Sequence, residues 1–474
     1  MAFIGLRVHY TWIDEVYFAE PAINFLRGDG YTSSVWNVSQ ASETHVSTAP
    51  AYSSLLIGWL KIFGVSQTAV RALPLVLAVL ATIVFWRACL RAGIIHSAAA
   101  GIILVSVALL SYGFSFSYTT GRPEALSALA LAGMFYFAAT PPSGAALIAL
   151  ALTSFALPFI QWSAVIFAAI IAAVLLALFG AGVLRRVLGV AAGIAAGMIC
   201  QYAIYRHLGL WDQWLATLSS ERSLNLLQHL LSRVSVDALR AHSNTLPKDF
   251  TAFVLLAGVV LLGLATFLLR IDRRQQLLTA ATAIFAAVLV GMFVVGKFPT
   301  YYGWMLTFPL AAILAAMFDR LPPERGILRT GAVAFAVLSC LVGFPAQAAV
   351  ALNDWPYRTP DHVNEWLQAR IQPDDIVYCD YPFYYLAKEK AQKVFAGRYS
   401  RMMTPEELDS LDLMLLSKTF CDWRHPETLR ARATNRAEWD TPRAGLLGND
   451  WRYGILSAPN YSCTALRLAP ASGL

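Results

Sequence analysis

Long apolar segments constrain this chain more than any other feature, because about 17 to 25 consecutive apolar residues can cross the hydrocarbon core of a bilayer. Charged residues make up only 14% of the chain, against about 25% in an ordinary soluble domain. The sequence therefore predicts an all-α polytopic membrane protein with about ten transmembrane helices. We expect spans near 68–90, 98–116, 121–139, 143–160, 162–180, 187–205, 251–270, 277–296, 300–318 and 328–348.

Arginines mark alternate connections between these spans, which predicts their orientation by the positive-inside rule. The connections with arginine are expected to be cytoplasmic, and the uncharged turn at Pro141-Pro142-Ser143 is the exception to the alternation. The other connections, including loops 9–67 and 206–250, are expected to be exoplasmic. The 206–250 loop has leucines at helical spacing from Leu224 to Leu231 and is expected to lie on the membrane surface. The membrane topology thus explains the excess positive charge of the chain, which gives no reason to expect a nucleic-acid partner.

The last quarter of the chain differs in composition from the rest, since 16 of the 29 acidic residues follow residue 350. Residues 1–350 are therefore predicted to form the membrane domain and 351–474 a small exoplasmic α/β domain. An exoplasmic compartment permits one disulfide among Cys379, Cys421 and Cys463. Helix-like runs are His362 to Ile371, Tyr384 to Lys390 and Pro405 to Leu415, and strand-like runs are Ile376 to Cys379, Lys393 to Phe395 and Thr464 to Leu468.

Acidic residues near membrane spans are costly, so each of them suggests a function. Glu124 is the only acidic residue between Glu43 and Asp212. Two interpretations stay open: a helix-start charge paired with Arg122, or part of a site on the exoplasmic side. Asp14 and Glu15 cannot share one helix face, so one can point inward. Asp14 is the better candidate for a general base and Glu15 for the helix start, although either can be a simple cap.

Further candidates lie on the same predicted side of the membrane. Lys297 is the only lysine between Lys248 and Lys388, and it opposes the dipole of the helix that follows. It either binds an anion such as a phosphate or extends to the interface. His45 is either a solvated loop residue or a ligand. Asp14 and Glu124, together with His45, are possible ligands of a divalent cation such as magnesium, manganese or calcium, though no spacing requires it.

Several short motifs together resemble the GT-C membrane glycosyltransferases, especially bacterial members related to protein mannosyltransferases and to the aminoarabinose transferase of lipid A. The resemblance covers nearly the whole membrane body but its motifs are short. They are Asp14-Glu15, Ala49-Pro50-Ala51-Tyr52 with Trp59 to Gly64, Arg71, Glu124, and Lys297 with Tyr301 and Pro309.

The resemblance implies an inverting transfer of a sugar from a polyprenyl-phosphate donor to a hydroxyl of an envelope glycan, lipid or protein, at the outer face of a bacterial plasma membrane. It implies catalytic roles for Asp14, Glu15 and Glu124, with a divalent ion possible. It also implies that Lys297, with Tyr301 or Tyr302, binds the donor phosphate. The apolar helices are expected to give the prenyl tail a groove.

Two departures from the family are visible. Family members usually have a complete helix before the Asp-Glu pair, and we expect that helix to be missing here, because few residues precede His9. Related proteins often place Lys or His beside a Pro-Pro pair, where this chain has Ser47-Thr48-Ala49-Pro50. That leaves His45 or Arg122 as the second phosphate ligand.

A transporter or lipid flippase is the alternative from another functional class. Transporters tend to have inverted repeats and ionisable groups near the middle of the bilayer. No repeat is visible, and the distinctive charges gather at one interface, which favours an interfacial enzyme. A non-catalytic scaffold that binds envelope glycan through its tail is a third possibility.

Overall fold

The computed structural model describes residues 11, 13–36, 40–47, 49–141, 143–179, 183–220, 250–268, 302–321, 324, 326–353, 359–418, 432–440 and 461–469. The predicted span 277–296, the Leu224 to Leu231 run, Cys421, Lys297 and Tyr301 lie outside these residues. Helices occupy each of the other predicted spans. They are α1 (Ile13–Arg27), α2 (Pro50–Phe63), α3 (Gln67–Arg91), α4 (Ala98–Leu110), α5 (Tyr112–Thr119), α6 (Glu124–Ala139), α7 (Gly144–Ile160), α8 (Trp162–Phe179), α9 (Leu184–His207), α10 (Trp211–Ser220), α11 (Phe250–Leu268), α12 (Trp304–Arg320), α13 (Gly326–Leu341), α14 (Phe344–Asn353), α15 (Asp361–Gln368), α16 (Tyr384–Lys390) and α17 (Pro405–Asp409).

Some of these helices are long and apolar enough to cross a membrane by themselves. In the described part of the chain they are Gln67–Arg91, Leu184–His207 and Gly326–Ala346, and α4 with α5 would make a fourth if the bent pair is one span. Helices α6 and α7 are apolar but shorter, with 16 and 17 residues. The chain is thus an integral membrane protein. Serine side chains start several of its helices: Ser66, Ser97 and Ser143 each accept a hydrogen bond from the third residue that follows.

The span predicted at 98–116 is not one straight helix. It breaks at Ser111, where the backbone is extended, and α4 and α5 meet at 56°. The Ser111 hydroxyl donates to the carbonyl of Ala108 at 2.9 Å. Gly343 lies against the same break, since a Cβ on it would meet the Leu110 carbonyl oxygen at 2.0 Å. The break depends on a close contact from a distant segment, which apolar periodicity does not reveal.

Helices α7 and α9 pack through two glycines spaced four residues apart. A Cβ on Gly193 would come within 2.3 Å of the Ala151 carbonyl oxygen, and one on Gly197 within 2.3 Å of the Phe155 carbonyl oxygen. Small residues at this spacing let two membrane helices approach backbone to backbone. Substitution of either glycine would force the pair apart.

The C-terminal part forms a sheet with helices, as predicted. Its five strands lie in the order β2-β1-β3-β5-β4; β1 pairs in parallel with β2 and β3, and β5 pairs antiparallel with β3 and β4. Cys379 and Cys463 are buried free thiols. The predicted boundary at residue 350 falls inside α14. The strands are β1 (Ile376–Cys379), β2 (Lys393–Ala396), β3 (Leu413–Ser417), β4 (Ala433–Trp439) and β5 (Cys463–Leu468).

One helix prediction in this domain was wrong. The run from Pro405 to Leu415 is helical only to Asp409, and its second half enters β3. A short apolar run such as Leu413 to Leu416 fits either a buried strand or a buried helix. The run forms a strand because it pairs with β1 and β5. Pairing with residues so distant in the chain could not be predicted from the local sequence.

The segment between α1 and α2 attaches this domain to the membrane part. The Ala396 amide of the edge strand β2 donates to the Ser34 carbonyl at 2.9 Å, and the Ser34 hydroxyl donates to the Val394 carbonyl at 2.7 Å. The Ala41 amide donates to the Tyr399 hydroxyl at 2.9 Å. The first exoplasmic loop of the sequence prediction is therefore an ordered structure that covers a sheet edge.

Candidate active site

Glu15 is held by an arginine of a membrane helix. It lies in the first turn of α1, and the Arg71 side chain of α3 donates to both of its carboxylate oxygens at 2.8 to 3.1 Å. Neither side chain has any solvent exposure. A bidentate guanidinium-carboxylate pair fixes both position and orientation. The pair therefore anchors the start of α1 to α3.

Asp14 and Glu124 are brought together by Arg122. Glu124 begins α6, and Arg122 donates to its two carboxylate oxygens at 3.0 and 2.5 Å. The same guanidinium forms an ion pair with Asp14. Side-chain exposure is 0% for Glu124 and 3% for Arg122 but 24% for Asp14. Of the two carboxylates that Arg122 holds, only Asp14 is open to solvent.

Gly121 allows the two ion-paired groups to lie side by side. Its φ is +64°, and a Cβ there would come within 2.8 Å of the Glu15 Cγ. The Tyr52 hydroxyl of α2 donates to its carbonyl at 2.9 Å. Both the backbone conformation and the space favour glycine at this position. The turn thus carries Arg122 and Glu124 past Glu15.

The C-terminal domain reaches this cluster through α16. The hydroxyl of Tyr385 is buried, and burial, together with the nearby Glu15 carboxylate, raises the pKa of Tyr385 well above its ordinary value. Sequence reasoning did not assign Tyr385 to the site. Tyr52 and Arg71 entered only as parts of the family motifs. For Arg71 a signal was present, since it is the only charged residue between Lys61 and Arg87.

His45 is buried, which excludes the solvated interpretation. It is 2% exposed, and its ring packs against those of Tyr17 and Tyr31 at 5.3 and 6.2 Å between centroids. Within the described residues neither ring nitrogen has a hydrogen-bond partner. Burial lowers its pKa to about 4. His45 is therefore neutral at neutral pH and brings no positive charge to a phosphate.

A second buried charge cluster lies further along α1. Glu20 has no exposure, and it accepts hydrogen bonds from the Ser33 hydroxyl and the Ser34 amide, both at 2.8 Å. The Lys388 Nζ of α16 lies 4.0 Å from Glu20. Burial raises the pKa of Glu20 and lowers the pKa of Lys388. This cluster joins α1, the following loop and the C-terminal domain.

The remaining predicted ligands are only partly described. Tyr302, two residues before α12, is 4% exposed and belongs to the apolar core. Lys297 and Tyr301 lie outside the described residues, so their roles remain predictions. In the described part of the chain, no three or more His, Cys, Asp or Glu side chains gather as metal ligands.

An apolar cavity lies among the membrane helices. Its volume is about 430 Å³, within the range of about 300 to 1,000 Å³ typical of ligand pockets. It is bounded by α3, α6, α7, α8, α9 and α12, and its lining is almost wholly hydrocarbon. Such a cavity suits an aliphatic chain. Residues that line it include Phe85, Leu131, Phe167, Val190 and Phe308.

Comparison with solved structures identifies the fold. The chain is similar to ArnT from Cupriavidus metallidurans bound to undecaprenyl phosphate, with a TM-score of 0.63 and 14% identity over 99% of this chain and 96% of that one. The apo state of the same protein gives a TM-score of 0.47 at 12% identity, over 98% and 95% of the two chains. No family model and no curated protein matches the sequence. The predicted GT-C-like fold, all-α with a small α/β domain, is confirmed.

Proposed function

We propose that this protein is an inverting glycosyltransferase that moves a sugar from a polyprenyl-phosphate donor to an acceptor hydroxyl at the outer face of a plasma membrane. The observation that carries the proposal is the meeting of Asp14 and Glu124 around Arg122, from two elements far apart in sequence. A partly exposed carboxylate beside a buried cation is a reasonable general base. The ArnT-like fold supports the same class of reaction.

Asp14 is the base in this proposal. It removes the proton of the acceptor hydroxyl while the acceptor oxygen attacks the anomeric carbon, and the bond from that carbon to the phosphate oxygen breaks. The electron pair of that bond leaves with the phosphate. The ion pair with Arg122 holds Asp14 in place. Glu124 and Glu15, both fully buried against arginines, position the base and do not touch the acceptor.

Lys297 and Tyr301 remain the proposed ligands of the donor phosphate, since a fixed cation would stabilise the charge gathering there. His45 is a weaker candidate because it is neutral at neutral pH. Arg122 is already committed to two carboxylates. The acceptor is an envelope glycan, lipid or protein in this proposal.

The lipid part of the donor has a place in the apolar cavity. The solved ArnT structure is described as bound to undecaprenyl phosphate. The cavity between α3, α6 and α12 presents almost no polar surface, which supports a prenyl tail over a polar solute. A flippase of envelope lipids could use the same cavity, so the charged cluster and not the cavity favours the transferase.

Purified protein with undecaprenyl-phosphate sugars provides the test. We expect Asp14→Asn to lower the transfer rate about 10²- to 10⁴-fold, the typical contribution of a general base, with little change in the apparent affinity for the donor. Asp212→Asn is the matched control, because Asp212 is an exposed carboxylate in the first turn of α10. Full activity in both Asp14→Asn and Glu124→Gln would contradict the mechanism and favour a transporter or a glycan-binding scaffold.

A further inference from the structure

Arg122 occupies the place between the two carboxylates that the sequence suggested as metal ligands. Both oxygens of Glu124 accept hydrogen bonds from its guanidinium, and Asp14 is ion-paired to the same group. The guanidinium is a planar cation with five donors, so it can serve two carboxylates at once. The place between the two carboxylates is thus already occupied by a cation of the protein.

The burial of Arg122 supports the same conclusion. Glu15 pairs with Arg71, whereas Asp14 and Glu124 both pair with Arg122. A divalent ion on Asp14 and Glu124 would have to displace Arg122, which is 3% exposed and would lose both of these carboxylates while it stays buried. Displacing one partner of a buried pair leaves an uncompensated charge, which is strongly unfavourable.

The ligand set also does not fit a divalent ion. Magnesium takes six oxygen ligands and calcium six to eight, drawn from carboxylates, carbonyls and waters. Within the described residues, only Asp14 has a carboxylate at this site that is open to solvent, and no third His, Cys, Asp or Glu joins Asp14 and Glu124 as a metal-ligating group. His45 packs against tyrosine rings and is not part of the cluster.

We propose that Arg122 is a built-in counter-ion that takes the place of a divalent cation between Asp14 and Glu124, so that this site works without metal. Arg122 is a positioning residue: it orients Asp14 while Glu124 holds the guanidinium in place. The catalytic consequence rests on the proposed function. The binding consequence does not, because it concerns whether the two carboxylates can bind a divalent ion at all.

Manganese binding tests whether Asp14 and Glu124 can hold a divalent ion, and it needs no enzymatic assay. We would titrate MnCl₂ into the purified full-length protein and follow free manganese by electron paramagnetic resonance. Wild type and Asp14→Asn should bind equally. Arg122→Gln should gain an additional manganese ion per chain, and the further substitution Asp14→Asn should remove it. Arg122→Lys, which keeps the positive charge, should gain none. Arg436→Gln is the matched control, since Arg436 pairs with Glu438 at the surface of the C-terminal domain.

The result that overturns the proposal is manganese binding by the wild type that Asp14→Asn abolishes. Failure of folded Arg122→Gln to gain binding would also overturn it. If Arg122→Gln does not fold in detergent, the comparison of wild type with Asp14→Asn still decides.

Transfer assays, if the protein is active, add an independent reading. EDTA should leave wild-type activity unchanged, whereas the activity of Arg122→Gln should be low and partly restored by MnCl₂. Loss of wild-type activity in EDTA that MnCl₂ restores would overturn the proposal. Absence of transfer with every donor would argue against the proposed function alone, because the manganese titration would stand unchanged.

Discussion

Helix α1 buries two carboxylates in different ways. Glu15, in its first turn, is paired directly with Arg71 at 2.8 Å. Glu20, in the middle of the helix, is held by hydrogen bonds from Ser33 and Ser34, with Lys388 only at 4.0 Å. A rigid bidentate pair fixes geometry, whereas a looser cluster joins three segments. The pair at Glu15 therefore fixes the position of the neighbouring Asp14, and the cluster at Glu20 attaches the C-terminal domain.

His45 is a third buried ionisable group on the same side of the molecule. It is a buried ionisable group packed on Tyr17 of α1, and it has neither a charged partner nor a hydrogen-bonded one among the described residues. It is neutral at neutral pH for that reason. We therefore expect substitutions that affect Glu15, Glu20 and His45 to have three different effects.

The largest effect is expected from Arg71→Met. It leaves Glu15 buried without its cationic partner, which typically costs about 3 to 5 kcal/mol. The double variant Arg71→Met with Glu15→Gln should recover most of this loss, because no buried charge remains. Thermal unfolding in detergent measures the loss of stability in the single variant and its recovery in the double variant. Arg87→Met is the control, an exposed arginine on the same helix. Equal loss in the single and double variants would show that packing, and not charge, holds α1.

The next effect is a dependence on pH. Because the pKa of His45 is about 4 in the folded protein and about 6.5 in an unfolded chain, the unfolded state binds the proton more readily. Stability from this group is therefore complete above about pH 6.5 and is lost as pH falls towards 4, by about 3 kcal/mol. Unfolding midpoints between pH 7 and 4 should fall less steeply in His45→Phe. The exposed His362, replaced by Gln, should leave the slope unchanged. An unchanged slope in His45→Phe would contradict the burial argument.

The smallest effect is expected at Glu20, in the middle of α1. Glu20→Gln weakens hydrogen bonds to a charged acceptor, at a cost of about 1 to 3 kcal/mol. The loss should be local: the Ala396 amide, which bonds the Ser34 carbonyl, should exchange its hydrogen faster while α3 keeps its protection. Glu43→Gln, at an exposed carboxylate of the same loop, is the control. Faster exchange in α3 as well would mean that the contacts of Glu15 and Glu20 belong to one cooperative unit.

Much of the fold could be predicted from the sequence. The apolar runs predicted the helices because the length of a membrane span must match the thickness of the bilayer. The bend at Ser111 and the strand at Leu413 were not predicted, because each depends on contacts with residues far away in the chain. Of the candidate site, the rarity of acidic residues in apolar surroundings singled out Glu124, with Arg122 as its possible partner, and the Asp14-Glu15 pair suggested Asp14.

The sequence by itself determined that the chain lies in a membrane and which charged residues are unusual, since both follow from composition along the chain. Only the tertiary structure decided which charges meet. Arg71 pairs with Glu15, and Arg122 pairs with both Asp14 and Glu124, because the turn at Gly121 brings α1, α3 and α6 together. Ion pairing needs side chains within about 4 Å, and such distances between remote segments follow from packing and not from local sequence.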